Sequence, residues 1–157
     1  MLEATINRRE FDKYGGKRYW YQLFQATKTA PCGYYAMSDL SRQLLYTGFD
    51  YSEIAKKRID NYLVLSSMLK DIALFPTLSK ETVPLGFPVR DSRRDIIREK
   101  LFQEQIYPPV HWSLDKVTPE EFHESHNLSD NIMTLPCDQR YDKTDMERIA
   151  QIVLEEL

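Results

Sequence analysis

Proline placement is the feature that most limits how this chain of 157 residues can fold. Seven of its eight prolines lie at or beyond residue 76, and none occurs between Pro31 and Pro76. Proline has no backbone N–H and interrupts both helices and the ladders of a sheet. The sequence therefore predicts its clearest helical region in the proline-free stretch before residue 76, and short elements after it.

The stretch from residue 38 to 72 predicts two capped helices. Ser38 can cap a first helix through Leu45, Gly48 interrupts it, and Asp50 or Ser52 can start a second. Apolar residues of the second helix fall near one face at helical spacing: Ile54, Tyr62, Leu65, Leu69 and Ile72. We expect that face to pack against the rest of the domain.

Three segments after Pro76 predict short extended pieces. Residues 84–90 read as an edge-type strand, because the two prolines within them cannot donate ladder hydrogen bonds. Residues 106–112 and 132–136 are the other two extended segments.

Helices are predicted between and after these strands. Asp91 or Ser92 can cap a helix over 93–105, with Ile96, Ile97 and Leu101 facing inward. Thr118 and Thr144 each begin a capping-box pattern, and each predicts a helix start. The inward residues of the last helix are Met146, Ile149, Val153 and Leu157.

This order of elements predicts an α/β (α+β) fold, with a small, mainly antiparallel sheet covered by helices on one face and a long N-terminal helical segment. We expect two parts. Residues 1–37 form an N-terminal extension, helical or irregular, that can cover an apolar face, and residues 38–157 form the α+β domain.

Composition bears on where the protein is located and whether it contacts a membrane. With 42% apolar residues the chain can build a core, but no run approaches the roughly 20 apolar residues that cross a bilayer. The first residues lack the apolar segment of a signal peptide. We therefore expect no membrane partner and a cytoplasmic location.

Few residues favour metal or nucleic-acid chemistry. His123 and His126 would share one side of a helix, but no third ligand is indicated, so we predict no metal site. Two basic residues adjoin three aromatic residues over 17–21, a combination that could stack bases and neutralise phosphates. The excess of 24 acidic over 21 basic residues favours buried aromatic rings with solvated Lys17 and Arg18 instead, and we expect no nucleic-acid partner.

His111 and Trp112 end a predicted strand, where a rigid scaffold can present an imidazole and an indole to a ligand. The alternative is a histidine satisfied by backbone groups beside a core tryptophan. Arg90 lies at a second strand end, near a group of arginines that can form an exposed helix face or hold an anion: Arg93, Arg94 and Arg98.

Four ordered segments of residues 38–157 resemble the C-terminal small domain of DegT-type aminotransferases, fold type I enzymes that use pyridoxal phosphate to aminate nucleotide-linked keto sugars. The first combines the helix pair from Ser38 with an Arg58-x-x-Asn61-Tyr62 motif. The second is the strand 84–89 with the helix that follows it, and the third is the segment 106–112, which ends in His-Trp. The fourth is residues 131–149, which end in Asp-Met-Glu-Arg-Ile. Residues 1–37 match poorly.

The resemblance implies a role at the substrate side of an active-site cleft. It assigns substrate binding to His111 and Trp112, and Arg90 is a weaker candidate without a motif match. No residue is assigned to catalysis, to cofactor binding or to a metal. The lysine that would bind pyridoxal phosphate belongs to the family's large domain, so we expect this chain to bind no cofactor and not to transaminate alone.

Two hypotheses follow. The chain is the small-domain part of such an enzyme, a fragment or a truncated product, whose partners are a large domain or further copies of itself and a nucleotide-linked sugar. Alternatively, it is a non-catalytic interaction or dimerisation module that keeps the small-domain fold. The exposed surface separates the two hypotheses, because removal of a large domain should expose an apolar patch, which a lone chain must cover by its residues 1–37 or by a partner.

Overall fold

The structure, a computed structural model, describes residues 2–29, 33–111, 113–114 and 117–157. Its contacts divide the chain into two compact units, Met1–Gly48 and Phe49–Leu157. The predicted boundary after residue 37 stays a prediction about domain organisation. The elements in chain order are α1 (Leu2–Tyr14), α2 (Tyr19–Lys28), α3 (Asp39–Thr47), α4 (Tyr51–Met68), β1 (Phe87–Arg90), α5 (Arg94–Gln103), α6 (His123–Asn131), β2 (Ile132–Leu135) and α7 (Lys143–Glu155).

The first unit contains α1, α2 and α3. Helices α1 and α2 pack together, with the rings of Phe11 and Trp20 6.3 Å apart and the Arg8 guanidinium 4.3 Å above the Trp20 ring. The start of α3 is as predicted, because the Ser38 hydroxyl accepts a hydrogen bond from the N–H of Ser41 at 3.2 Å.

One expectation for the first unit is wrong. The aromatic rings near Lys17 and Arg18 were expected to be buried, yet Tyr19 and Tyr21 are both more than half exposed. A hairpin of two short helices has too small an interior to bury a ring on every side.

The second unit is built on α4. Asp50 caps this helix by accepting from the N–H of Glu53 at 3.0 Å. The helix was expected to continue to Ile72, but it ends at Met68, and residues 69–73 form turns instead. The bent segment then pairs with β1 through backbone hydrogen bonds. In a helix the same backbone groups would be bonded within the helix.

The sheet of the second unit is a two-stranded antiparallel ribbon, β1 with β2, in which Phe87 pairs with Leu135 and Arg90 with Ile132. The expected mixed fold, with a small antiparallel sheet among helices, is confirmed.

Strand β1 is an edge of this two-stranded sheet, as its prolines predict, but its outer side is also bonded through an isolated bridge between Ala73 and Val89. On the side away from β2, the N–H of Leu74 donates to the carbonyl of Pro88 at 3.0 Å, and the N–H of Arg90 donates to the carbonyl of Ile72 at 2.8 Å. A proline can still accept a ladder hydrogen bond, which explains how this strand gains a second neighbour.

The segment 106–112 was expected to form a strand, and the structure shows none across its described residues, 106–111. It lies beside β2 through one hydrogen bond, from the N–H of Thr134 to the carbonyl of Pro109 at 3.0 Å. Two consecutive prolines, Pro108 and Pro109, cannot donate to a ladder, so the pairing stops there.

Two predicted helix starts are also wrong. Residues 118–122 form a turn, closed by the N–H of Phe122 on the carbonyl of Pro119 at 3.2 Å, and α6 begins only at His123. Helix α7 is capped by Asp142, which exchanges hydrogen bonds with Asp145 in a full capping box, so Thr144 lies inside the helix.

The core lies between α4, α5, α7 and the inner face of the ribbon. Most predicted inward residues are buried, but Ile96 is 58% exposed and Leu157 is 39% exposed, so those two assignments are wrong. Ile97 takes the inward position on α5, and the chain end at Leu157 lies past the last turn of α7. The buried apolar residues are Tyr62, Leu65, Leu69, Phe87, Val89, Ile97, Leu101, Met133, Leu135, Cys137, Met146, Ile149, Ala150, Ile152 and Val153.

Two leucines on α4 test this core. Leu65 is fully buried, whereas Leu63 is 52% exposed. We expect Leu65→Ala to lower the free energy of unfolding by about 2–5 kcal/mol, because it opens a cavity in packed surroundings. Leu63→Ala should change it by less than about 0.5 kcal/mol. Urea unfolding curves measure both, and equal losses would contradict the assigned face of α4.

Candidate functional site

A cavity of about 590 Å³ lies in the second unit, at the end of the ribbon where Phe87 pairs with Leu135. Its walls come from α4, from the irregular segment 75–86, from both strands and from His111. The lining residues are Tyr62, Phe75, Thr77, Leu78, Ser79, Thr82, Pro84, Leu85, Gly86, Pro88, His111 and Thr134. The segment 75–86 supplies most of them, and nothing in the sequence marked it as part of a site.

Helix α4 fixes the beginning of this segment with two hydroxyl groups. The Tyr62 hydroxyl donates to the carbonyl of Phe75, and the Ser66 hydroxyl donates to the carbonyl of Pro76 at 2.6 Å. The Tyr62 ring also packs edge-on against Phe87, with centroids 4.8 Å apart. Burial is the main cause of the raised pKa of the Tyr62 hydroxyl, which therefore stays protonated and can donate at neutral pH.

Arg58 fixes the end of the same segment. Its guanidinium donates to the carbonyls of Pro84 at 2.8 Å and Leu85 at 3.2 Å, and to the side-chain oxygen of Gln139 at 2.8 Å. Irregular backbone needs hydrogen-bond donors from elsewhere, and this cation supplies them to two segments at once. Arg58 is therefore a positioning residue for the rim of the cavity.

Asn61 fixes a second loop, residues 137–141. Its buried amide donates to the carbonyls of Cys137 at 3.4 Å, Asp138 at 3.1 Å and Tyr141 at 3.1 Å. Arg58, Asn61 and Tyr62 are the residues of the predicted Arg-x-x-Asn-Tyr motif, and each of them holds backbone outside its own helix.

Gly86 is required where the segment meets β2. A Cβ at this position would lie 2.4 Å from the Thr134 methyl carbon and 3.2 Å from the Leu135 carbonyl oxygen. Any larger residue would push the Thr134 side chain, which itself lines the cavity. The close approach thus sets the shape of this wall.

The three predicted substrate-binding residues differ in where they lie relative to the cavity. His111 is half-buried and lines the cavity. Arg90 is exposed, lies outside the lining, and donates to the Asn127 side-chain oxygen at 2.6 Å. Trp112 lies outside the described residues. The substrate-binding role of all three stays a prediction.

The neighbouring arginines hold the fold together and do not form a free cationic face. Arg94 donates to the carbonyl of Ser129 at 2.8 Å, and Arg98 donates to the carbonyl of Pro108 at 3.1 Å. Arg93 pairs with Asp91 at 3.0 Å and donates to the carbonyl of Leu157. The hydrogen bond from Arg93 is the main cause of the lowered pKa of Asp91.

Among its described lining residues, the cavity carries no Lys, Arg, Asp or Glu. The Ser79 and Thr82 hydroxyls bond to each other, and the Tyr62 hydroxyl is taken by Phe75. The cavity therefore offers apolar walls with an imidazole and threonine hydroxyls at its edges. It suits an uncharged group far better than an anion.

These residues do not fit pyridoxal phosphate, which the resemblance associates with the complete enzyme. The cofactor needs a lysine of lowered pKa and donors for its phosphate. The described lining residues include no lysine and no cationic side chain for the phosphate, and the pKa of Lys56 on α4 is raised, mainly by its hydrogen bond with Asp60. No chemical step through the cofactor can be assigned to this cavity.

The other candidate groups carry no site. Across residues 2–29, 33–111, 113–114 and 117–157, no cluster of three His, Cys, Asp or Glu side chains could hold a metal ion, and His126 contacts the carbonyl of Pro119 at 3.2 Å. Cys137 is fully buried, and burial raises the pKa of its thiol to about 11, which makes it a poor nucleophile. No helix in these ranges is long and apolar enough to cross a bilayer.

Adjacent residues of α4 allow a matched test of the loop tether. Asn61→Asp replaces a buried donor by a carboxylate that faces three carbonyls, so we expect the free energy of unfolding to fall by about 3 kcal/mol at neutral pH. The reverse exchange, Asp60→Asn, removes only an exposed ion pair with Lys56. It should leave the free energy of unfolding nearly unchanged.

The loss of unfolding free energy in Asn61→Asp should also depend on pH. Burial raises the folded-state pKa of the new carboxyl above its unfolded value of about 4, so the penalty grows as pH rises past that value and shrinks in acid, where the protonated group can donate. Urea unfolding at several pH values measures this. A loss that does not change with pH would contradict the described contacts of Asn61.

Comparison with known proteins gives a likeness of fold. No protein-family model and no curated protein sequence matches the chain. A solved structure does, the crystal structure of a DegT DnrJ EryC1 StrS aminotransferase from Brucella abortus, with a TM-score of 0.53 and 16% sequence identity. The match covers 66% of this chain and 31% of that one, so the chain shares the fold of part of an aminotransferase.

Proposed function

We propose that this chain is the small-domain part of a pyridoxal-phosphate-dependent sugar aminotransferase and contributes to the substrate side of its cleft. The observation that carries the proposal is the fold shared with part of the Brucella abortus enzyme. It agrees with the four sequence segments that resemble the small domain of DegT-type enzymes. The lining of the cavity, with His111 at its edge, is consistent with contact to an uncharged part of a substrate.

On this proposal the chemistry depends on groups that another domain supplies. The cofactor, its lysine and the contacts to its phosphate belong to a large-domain partner, on the same or another polypeptide. Here His111 would orient the substrate through hydrogen bonds, and Arg58 and Asn61 would keep the cavity rim and the neighbouring loop in place. The nucleotide-linked sugar is the proposed substrate.

Borohydride trapping tests whether this chain or another domain binds the cofactor. We expect the full chain, mixed with pyridoxal phosphate and reduced, to show only sparse adducts spread over several exposed lysines, because none of the described lining residues is a lysine. Intact-mass and peptide mass spectrometry measure this. A stoichiometric adduct on one lysine would mean that the chain carries its own cofactor site and would overturn the proposal.

His111 provides a second test. We expect His111→Asn to leave the unfolding midpoint nearly unchanged and to weaken binding of a nucleotide-linked sugar by about threefold to tenfold, the effect of one lost hydrogen bond. His126→Asn, outside the cavity, is the control. Titration followed by NMR gives the affinities. Loss of folding stability together with binding would favour a core histidine instead.

An interaction module is the second candidate, and one observation favours it. Six tyrosines among the described residues of the first unit are more than half exposed: Tyr14, Tyr19, Tyr21, Tyr34, Tyr35 and Tyr46. Aromatic side chains are enriched at protein interfaces, so this surface suits a protein partner. Sedimentation of the purified chain, combined with titration by the nucleotide-linked sugar, separates the candidates, because a stable homodimer that does not bind the sugar supports only the second.

A further inference from the structure

We propose that the cavity binds an uncharged ring, either the sugar or the base of a nucleotide-linked sugar, and leaves the phosphates outside. This inference rests on the proposed function only for naming that ligand. The structural basis is the lining itself, which can be examined with simple probes.

Charge is the first argument. A diphosphate inside the cavity would lose its hydration, and no cation among the described lining residues would compensate for that loss. Arg58, the arginine that reaches the rim, already donates to two backbone carbonyls and to Gln139. A neutral ligand meets no such penalty.

Shape and polarity are the second argument. Phe75, Leu78 and Leu85 offer apolar contact to the face of a ring, while polar groups stand at other points of the same wall. The hydroxyls of Thr77 and Thr134 form no hydrogen bond within the part of the chain that the structure describes, so they can bond to the polar edge of a ligand. Apolar walls with a few polar groups are typical of small-molecule sites.

Contacts within the second unit also hold part of the cavity wall in place. The Thr134 side chain is held against Gly86, where there is no room for a Cβ, and the segment 75–86 is tied at both ends to α4. A wall held in this way is formed before the ligand arrives, which lowers the entropy that binding must overcome.

The test uses the labelled full chain and three separate probes: methyl rhamnoside for a 6-deoxyhexose, thymidine for a base, and inorganic diphosphate. We expect one or both ring probes to shift the backbone amide signals of Gly86 and Thr134 with millimolar affinity, independent of ionic strength. Comparing the two ring probes identifies the part of the ligand that the cavity accepts. Diphosphate should neither shift these signals nor compete.

Matched variants check the location. Phe75 is 59% exposed and Leu85 is 82% exposed, so neither truncation should unfold the chain. We expect Phe75→Ala to weaken the ring probe about threefold to tenfold, and Leu85→Ala to weaken it less. Phe122→Ala removes a half-exposed ring outside the cavity and should have no effect.

Several outcomes would overturn the inference. These are the absence of shifts with both ring probes, competition by diphosphate, strong weakening by salt, or equal effects of Phe75→Ala and Phe122→Ala. If the complete nucleotide-sugar binds elsewhere on the chain, the inference fails while the proposed function stands. If the ring probes bind as expected but the chain forms its own stoichiometric cofactor adduct, the proposed function fails and the inference stands.

Discussion

The hydrogen bonds that Arg58 and Asn61 give to backbone carbonyls are the interactions on which the rest of the second unit depends. Both side chains leave one turn of α4, and together they reach the segments 84–85 and 137–141. These loops have few ladder partners of their own, and an unpaired buried carbonyl is costly. One helix thus determines where the cavity rim, β1 and the start of α7 meet.

Much of the fold could be predicted from local patterns. The starts of α3 and α4 follow from Ser38 and Asp50, because capping depends on residues three apart in sequence. The strand β2 and the buried face of α7 follow from apolar spacing. Errors arose where several local solutions compete: Thr144 and Asp142 both suit a cap, and only the fold determines that Asp142 is used.

The candidate site was less predictable. His111 could be singled out because it ends an extended segment, but the wall formed by 75–86 has no periodicity and is held by donors from α4. Arg58 contacts Gln139 across 81 positions of sequence, and Asn61 contacts Tyr141 across 80. Tethers of that length leave no local pattern. The Arg-x-x-Asn-Tyr motif was the available signal, and its physical role emerges only from the contacts.

The arginines of the second unit bear on the proposed large-domain partner, because their hydrogen bonds lie within the fold. Arg58, Arg94 and Arg98 each donate to backbone carbonyls, and Arg93 is paired with Asp91. These four arginines therefore serve the fold and are not available to an anion in the cavity. A nucleotide-linked sugar carries a diphosphate that favours cationic partners. If the uncharged ring lies in this cavity, the charges that attract the diphosphate are not among its described lining residues, and we expect a separate domain to contribute them.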